Sequence, residues 1–177
     1  MAFEISKILN GKTSLIEVAG LTQLVNQYYM SIYGPYAATE NFALQQMKKV
    51  LNYEKHAFLA FETRRDKKNG TIVPPTFYPY GYVLFSMNAR KNDKLNTNIE
   101  EIFSRNDSAG GIKVHLLYSV VQEIKNFSKA LKRDTIPKFF YMKIPISAND
   151  EIEFYKNIGF EVCKKLPIEI ILRGRLR

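Results

Sequence analysis

The sequence has few of the residues that build disulfides or zinc sites. Its 177 residues include one cysteine, Cys163, and two histidines, His56 and His115. A disulfide framework requires paired cysteines, and a zinc site draws on several Cys or His ligands. The counts therefore exclude a disulfide framework and a multi-Cys zinc site. We expect no metal site, and we expect Cys163 to be a small residue of the core.

Glycine and proline are also scarce, and long apolar runs are absent. Nine Gly and seven Pro exclude a collagen-like or low-complexity chain. No apolar run approaches the roughly 20 residues that a membrane-spanning helix needs. The first ten residues are too mixed in character for a signal peptide. These features predict one cytoplasmic domain that covers residues 1–177 and has no membrane contact.

Positive charge exceeds negative charge. Lys and Arg number 26 against 17 Asp and Glu, which gives a formal net charge of +9. Such a chain attracts an anionic partner, which is a phosphorylated cofactor, a nucleic acid or an acidic surface. Arg173, Arg175 and Arg177 alternate and would share one face of a strand. However, no RNP, zinc-finger or helix-turn-helix pattern indicates a dedicated nucleic-acid module.

Hydrophobic spacing predicts alternating helices and strands. Apolar steps of three and four residues predict the helices, and short aromatic or aliphatic runs predict the strands. Gly34-Pro35 should end the first helix, and Gly159 suits the C′ position of the last. The predicted helices span residues 14–33, 41–51, 111–131 and 150–157, and the strands span 56–62, 80–87, 98–104, 138–144, 160–164 and 168–173. Residues 64–75 and 88–98 are predicted surface loops, and 106–111 a turn. This order predicts a mixed α/β chain with one core sheet and a hairpin between its first two strands.

The strand, turn and helix of residues 98–131 form the first unit with chemical meaning. The pair Gly110-Gly111 lets the backbone approach a ligand, and the following helix offers unpaired N–H groups that bind phosphates. Arg105 and Lys113 lie beside this turn and would add positive charge. The alternative is a tight strand-to-helix turn without a ligand, since the sequence matches neither the P-loop nor the GxGxxG pattern.

The second unit is EFYKNIGFEV, residues 153–162, in which a short helix runs into a strand. Tyr155 follows Phe154 directly, so the two rings need not point the same way. A phenol hydroxyl that faces a cleft is able to protonate a leaving group. The alternative is a Tyr that packs its ring in the core and satisfies its hydroxyl there.

Together these units resemble the GNAT superfamily of N-acetyltransferases, from about Ser14 to the C-terminus. EFYKNIGFEV is similar to the family pattern of an apolar residue, Tyr, two polar residues, any residue, Gly and Phe. The resemblance implies a GNAT-like fold with a central mixed, mostly antiparallel sheet flanked by helices. Its central strands would splay apart near Ile102 and Tyr141.

The resemblance also implies that acetyl-CoA is the cosubstrate. In the family, the glycine-containing turn and the helix N-terminus bind the pyrophosphate, and the preceding strand pairs with the pantetheine arm. Backbone N–H groups of that strand would also polarise the thioester carbonyl. The residues that occupy these places are Ile102, Phe103, Ser104, Ser108, Ala109, Gly110, Gly111, Ile112 and Lys113.

The implied activity is transfer of an acetyl group from acetyl-CoA to a primary amine, which attacks the thioester directly. Tyr155 matches the position of the family's general acid. The resemblance implies that Glu100 or Glu101 lies where some family members have a carboxylate base. The two alternate along a strand, so at most one faces the cleft, and Glu101 is the predicted base. An aromatic set near the first helices and the hairpin would bind the amine by cation–π contact or belong to the core: Tyr28, Tyr29, Tyr33, Tyr36, Phe77, Tyr78 and Tyr80.

Departures from the family pattern support a second hypothesis. Ser108 stands where the family has Arg or Gln, Lys113 where it has a small residue, and Ala148 where it has Asn. These changes favour a GNAT-like binding or regulatory protein without catalysis. A nucleic-acid-associated protein is the third reading. The sequence leaves open a nucleic acid or tRNA-linked acceptor and a homodimer.

Overall fold

The protein is described from a computed structural model that covers residues 3–35, 41–64, 67–68, 71–72, 76–89, 95–105, 111–131 and 137–176. The chain divides into two compact units. The first comprises Met1–Leu84 and Glu101–Ser119, and the second comprises Phe85–Glu100 and Val120–Arg177. No helix in the described residues is both long and apolar enough to cross a membrane.

Four helices and a seven-stranded mixed sheet form the fold, which confirms the predicted α/β class. The sheet has the strand order β1-β2-β5-β6-β7-β9-β8, and β3 pairs with β4 in a separate two-stranded ribbon. Pairing of β6 with β7 is parallel, and pairing of β1 with β2, β7 with β9 and β8 with β9 is antiparallel. The elements are β1 Glu4–Lys7, α1 Leu15–Tyr33, α2 Phe42–Leu51, β2 His56–Arg64, β3 Lys67–Lys68, β4 Thr71–Ile72, β5 Thr76–Ala89, β6 Leu95–Ser104, α3 Gly111–Ala130, β7 Phe139–Pro145, α4 Asn149–Asn157, β8 Glu161–Lys165 and β9 Glu169–Arg175.

In the first unit, α1 begins with a capping box. The Ser14 side chain accepts a hydrogen bond from the Glu17 backbone N–H, and the Glu17 carboxylate accepts one from the Ser14 backbone N–H at 3.0 Å. Ser6 of β1 donates its hydroxyl proton to the same carboxylate at 2.6 Å. The box satisfies orphan donors of the first turn, and the third bond ties the start of α1 to β1.

The core of the first unit lies between α1, α2 and the strands β1, β2 and β5. Gly20 has a specific place in this packing, because a Cβ there would lie 2.5 Å from Cε1 of Phe77. Glycine weakens a helix, and here it lets β5 approach α1. The buried members are Ile8, Leu21, Leu24, Val25, Met47, Val50, Ala57, Leu59, Phe61, Tyr82 and Leu84.

In the second unit, β7 is held mainly by β9, with seven antiparallel partners from Phe139↔Arg175 to Pro145↔Glu169. Its described parallel pairing with β6 consists of Asn98↔Tyr141 and Ile99↔Met142. Such short pairing is compatible with central strands that splay. The described pairing ends at Ile99 and Met142, close to Ile102 and Tyr141, near which the strands were expected to diverge.

The four predicted helices are confirmed to within one residue at each end, but several strand and loop boundaries are wrong. Part of the predicted loop 64–75 forms β3 and β4, which pair with each other. Residues 95–98, predicted as loop, belong to β6, and β5 extends from Thr76 to Ala89. Polar residues obscured the alternation in β6, because Asn96 and Asn98 lie on its half-buried face and Thr97 lies on its buried face.

Cys163 is exposed, which corrects the expectation of a core residue. It lies in β8, an edge strand whose five residues are all exposed. The register of β8 against β9 shifts between Val162 and Lys164. A bulge and lysines at a sheet edge discourage pairing with other chains. The features of β8 therefore suit an edge strand that stays exposed.

We predict that Glu17 makes the free energy of unfolding depend on pH in the acid range. Burial opposes its ionisation, but hydrogen bonds from Ser14 and Ser6 hold the pKa of Glu17 below its ordinary value of 4.5. Its stabilisation is therefore complete above pH 4.5 and is lost as the pH falls through the folded-state pKa. Urea unfolding at pH 7 and pH 3.5 should show a smaller loss of stability for Glu17→Gln than for the parent chain.

The matched control is Glu153→Gln, since Glu153 is an exposed glutamate in a surface pair with Lys156. Surface pairs contribute little, so this variant should keep the pH dependence of the parent. Equal pH dependence in Glu17→Gln and the parent would contradict the role of the capping carboxylate.

Candidate functional site

The carboxyl end of β6 carries the candidate base. Leu95, Thr97 and Ile99 are buried on one face of this strand, and Glu101 continues that face with 8% of its surface exposed. Glu100 points to the other face and is exposed. The structure thus separates the two glutamates as the period-two alternation predicts, and Glu101 is the buried one.

Two tyrosine hydroxyls hold the Glu101 carboxylate. Tyr29 of α1 donates to Oε1 at 2.5 Å, and Tyr82 of β5 donates to Oε2 at 3.0 Å. Burial, with added contributions from the hydrogen bonds and negative charge of Glu101, raises the pKa of both Tyr29 and Tyr82 far above the usual range. Both phenols therefore keep their protons and serve as donors, as a buried carboxylate requires.

The network continues outward from Tyr29. The side-chain amide of Gln46, on α2, donates to the Tyr29 hydroxyl oxygen at 2.9 Å. The Lys55 ammonium, just before β2, donates to the carbonyl oxygen of Gln46 at 2.8 Å. Three elements of the first unit, α1, α2 and β5, and the residue before β2 thus supply the side chains of the network that ends at Glu101. Sequence reasoning missed Tyr82, Gln46 and Lys55 and placed Tyr29 only in a general aromatic set.

The structure brings part of the predicted aromatic set together. The Tyr29 ring stacks on Phe42 with a centroid distance of 4.9 Å and on Tyr33 at 6.0 Å, and Tyr28 meets it edge-on at 5.4 Å. These rings pack on one another, so they form a wall beside Glu101 rather than an open cage. Phe77 instead stacks on Phe61 at 4.8 Å. Tyr36 lies outside the described residues.

The end of β6 packs closely against β5 and the start of α3. Ile102 is buried, and Phe103 and Ser104 are half-buried. The Ser104 hydroxyl oxygen is buried and has no hydrogen-bond partner among the described residues. A Cβ at Gly81 would lie 2.7 Å from the Phe103 carbonyl oxygen and 3.0 Å from Cγ2 of Ile112. Gly81 thus lets β5, the end of β6 and the start of α3 meet closely, and an orphaned hydroxyl lies beside that meeting point.

The predicted phosphate turn is described in part. Ser108, Ala109 and Gly110 lie outside the described residues. Gly111, Ile112 and Lys113 form the first turn of α3, which contains no acidic residue. A first turn of this kind suits an anionic group, because its N–H groups and the helix dipole favour negative charge.

Arg105 makes contacts that the sequence did not indicate. Its side chain donates from Nε to the Gln27 amide oxygen at 2.6 Å and from Nη1 to the Pro79 carbonyl oxygen at 3.2 Å. Its backbone N–H donates to the Tyr80 carbonyl oxygen at 2.7 Å. Arg105 therefore fastens the end of β6 to α1 and β5, in addition to placing positive charge beside the predicted turn.

Tyr155, the predicted acid, lies in the second unit. It is fully buried on α4, and its ring meets Phe154 at 5.1 Å and Phe160 at 5.5 Å, both edge-on. Gly159 follows the helix with a φ of +97°, a conformation that favours glycine. The C′ prediction for this glycine is confirmed, and the glycine turns the chain from α4 into β8.

Arg173 and Arg175 share a face, as predicted, and they also share an acid, whereas Arg177 lies outside the described residues. Glu161 accepts from Arg173 at 2.9 Å and pairs with Arg175 at 3.5 Å. The Arg173 guanidinium lies 4.9 Å from the centre of the Phe139 ring. Glu161 thus neutralises part of the positive charge of the two arginines, and the arrangement gives no support to a nucleic-acid surface there.

Comparison with known proteins identifies the fold. No family model matches the sequence, and no curated protein matches it. Solved structures do match over nearly the whole chain. A Desulfovibrio desulfuricans protein assigned as an acetyltransferase of the GNAT family has 12% identity and a TM-score of 0.66, with 99% of this chain and 100% of that chain covered. PaiA N-acetyltransferase from Thermoplasma acidophilum, in complex with coenzyme A, has 13% identity and a TM-score of 0.65, with 99% of both chains covered.

A plant protein gives a similar result. Arabidopsis thaliana NAA60, in complex with a bisubstrate analogue, has 11% identity and a TM-score of 0.62, with 98% of this chain and 100% of that chain covered. The protein therefore has the fold of the GNAT superfamily, which confirms the architecture that the resemblance implied.

We predict that Gly81 is required for stability. In Gly81→Ala the new Cβ would collide with the backbone oxygen of Phe103, which cannot move away as a flexible side chain does. The free energy of unfolding should fall by about 1–3 kcal/mol, as for other overpacked positions. In Gly111→Ala the new Cβ meets nothing within 4 Å, so stability should stay within about 0.5 kcal/mol of the parent value. Urea unfolding of both variants measures the difference, and equal stability would refute the close approach.

Proposed function

We propose that the protein is an acyl-CoA-dependent N-acyltransferase that transfers an acetyl group from acetyl-CoA to a primary amine. The observation that carries the proposal is the buried, doubly hydrogen-bonded carboxylate of Glu101 at the end of β6, in a chain with the GNAT fold. Solved structures of that fold include acetyltransferases with coenzyme A or acetyl-CoA bound.

Acetyl-CoA supplies the activated thioester in this proposal. The backbone of residues 102–104 would pair with its pantetheine arm and polarise the thioester carbonyl. Gly111, Ile112 and Lys113 would hold the diphosphate at the start of α3, together with Ser108, Ala109 and Gly110. The buried Ser104 hydroxyl, which has no hydrogen-bond partner among the described residues, supports a ligand at this place.

Glu101 would take the proton that the amine must lose. The amine nitrogen forms a bond to the thioester carbonyl carbon, the bond from that carbon to sulfur breaks, and the amine proton passes to the Glu101 carboxylate directly or through one water. Each carboxylate oxygen has about two lone-pair sites. Tyr29 donates to Oε1 and Tyr82 donates to Oε2, so each oxygen has one hydroxyl donor.

Tyr155 would protonate the departing thiolate. Its position in the EFYKNIGFEV motif supports this role, as does the turn that Gly159 makes after α4. A phenol carries its proton at neutral pH and is able to give it to sulfur as the bond to carbon breaks. Because Tyr155 is fully buried, its hydroxyl would act only inside a site closed to water.

We predict that Tyr155→Phe lowers kcat by about 100-fold, the size of effect expected for a general acid. Transfer is measured as release of free thiol from acetyl-CoA in the presence of a panel of primary amines. Tyr118→Phe is the matched control, because Tyr118 lies 62% exposed on α3, and it should retain the parent kcat.

Calorimetry with acetyl-CoA and with CoA separates the alternatives. Binding with transfer supports the enzyme, and binding without transfer to any amine would favour the binding or regulatory protein. Absence of binding at millimolar ligand would overturn the proposal for acetyl-CoA altogether.

A further inference from the structure

The side chains that lead from the surface to Glu101 form a continuous hydrogen-bonded series, which we call the Lys55–Glu101 chain. It runs from the Lys55 ammonium to the Gln46 carbonyl oxygen at 2.8 Å, from the Gln46 amide to the Tyr29 oxygen at 2.9 Å, and from the Tyr29 hydroxyl to Glu101 at 2.5 Å. All of its members lie in the first unit.

The two ends of this chain determine the direction of every bond between them. An ammonium group has donors only, so the Gln46 carbonyl oxygen must face Lys55. The amide nitrogen of Gln46 then faces Tyr29 and occupies a lone pair of its oxygen. Tyr29 has one proton, and the ionised carboxylate accepts only. The proton therefore points at Glu101.

We propose that Lys55, acting through Gln46 and Tyr29, is a positioning residue that fixes the orientation of the Glu101 carboxylate. This inference rests on the proposed function, in which Glu101 receives the proton of the acceptor amine. Lys55 does not touch Glu101, and its influence is carried by the direction of two intervening hydrogen bonds.

Loss of Lys55 allows a second arrangement of the chain. Without the Lys55 ammonium, the terminal amide of Gln46 is able to flip, so that its carbonyl oxygen faces Tyr29 in place of its nitrogen. The Tyr29 proton then has two competing acceptors, and Glu101 Oε1 loses its donor for part of the time. Tyr82 still donates to Oε2, so the carboxylate then loses one of the two hydroxyl donors that orient it.

The kinetic test compares three variants. Lys55→Met keeps the length of the side chain and removes the donor, and it should lower kcat about tenfold, as expected for one lost hydrogen bond in the transition state. The KM for acetyl-CoA should not change. Lys55→Arg restores the donor and should recover kcat to within about threefold of the parent. Lys49→Met, an exposed lysine of α2, is the matched control and should behave as the parent.

A spectroscopic test does not depend on activity. In the ligand-free chain, Lys55→Met should shift the NMR signals of the Gln46 side-chain amide and of the Glu101 carboxyl carbon, whereas Lys55→Arg and Lys49→Met should leave both in place. Unchanged signals in Lys55→Met would overturn the proposed orientation, whatever the protein catalyses.

The two tests also distinguish the two proposals. Shifted signals in a parent chain that transfers no acetyl group would refute the proposed function while the orientation of Glu101 stands. In an active enzyme, equal loss of kcat in Lys55→Met and Lys55→Arg, or full activity in Lys55→Met, would refute the positioning role.

Discussion

The first unit depends on the burial of one negative charge. A carboxylate that leaves water must find hydrogen-bond donors, since its desolvation costs several kcal/mol otherwise. Glu101 obtains them from Tyr29 on α1 and Tyr82 on β5. Helix α1 must therefore lie against β5 and β6 at a distance set by the length of a tyrosine, and its apolar residues at Leu21, Leu24 and Val25 bury themselves in that position. A polar group thus sets the geometry within which the apolar core of this unit packs.

The local features of the fold follow from the sequence, whereas its edges do not. The start of α1 at Ser14 and its end at Gly34 are readable, because the apolar spacing, the cap and the glycine all lie in one short stretch. The exposure of β8 at the edge of the sheet could not be predicted from the sequence. The alternation of a strand shows which residues share a face, but the strand order decides whether anything covers that face. Cys163 is exposed because β8 is the last strand of the sheet, and no residue near it in the sequence encodes that order.

The candidate site divides in the same way. Alternation within one strand predicts only that Glu100 and Glu101 point to opposite faces, and the structure shows that Glu101 is the buried one. Its partner Tyr29 is 72 residues away, and the pairing exists only because the topology brings α1 over β6. Gln46 lies on the amphipathic helix α2, and Lys55 lies in the connection after it. Polar residues at such places are ordinarily exposed to solvent. Gln46 donates to Tyr29 and Lys55 donates to Gln46, and the linear sequence contains no signal for either contact.

The departures at Ser108 and Lys113 bear on affinity more than on the nature of the site. A helix N-terminus holds a phosphate chiefly through backbone N–H groups and the helix dipole, and neither depends on which side chains surround it. Loss of an Arg or Gln at the position of Ser108 removes one side-chain ligand and leaves those backbone donors in place. The unusual side chains at these two positions are therefore compatible with the proposed binding of a diphosphate at the start of α3.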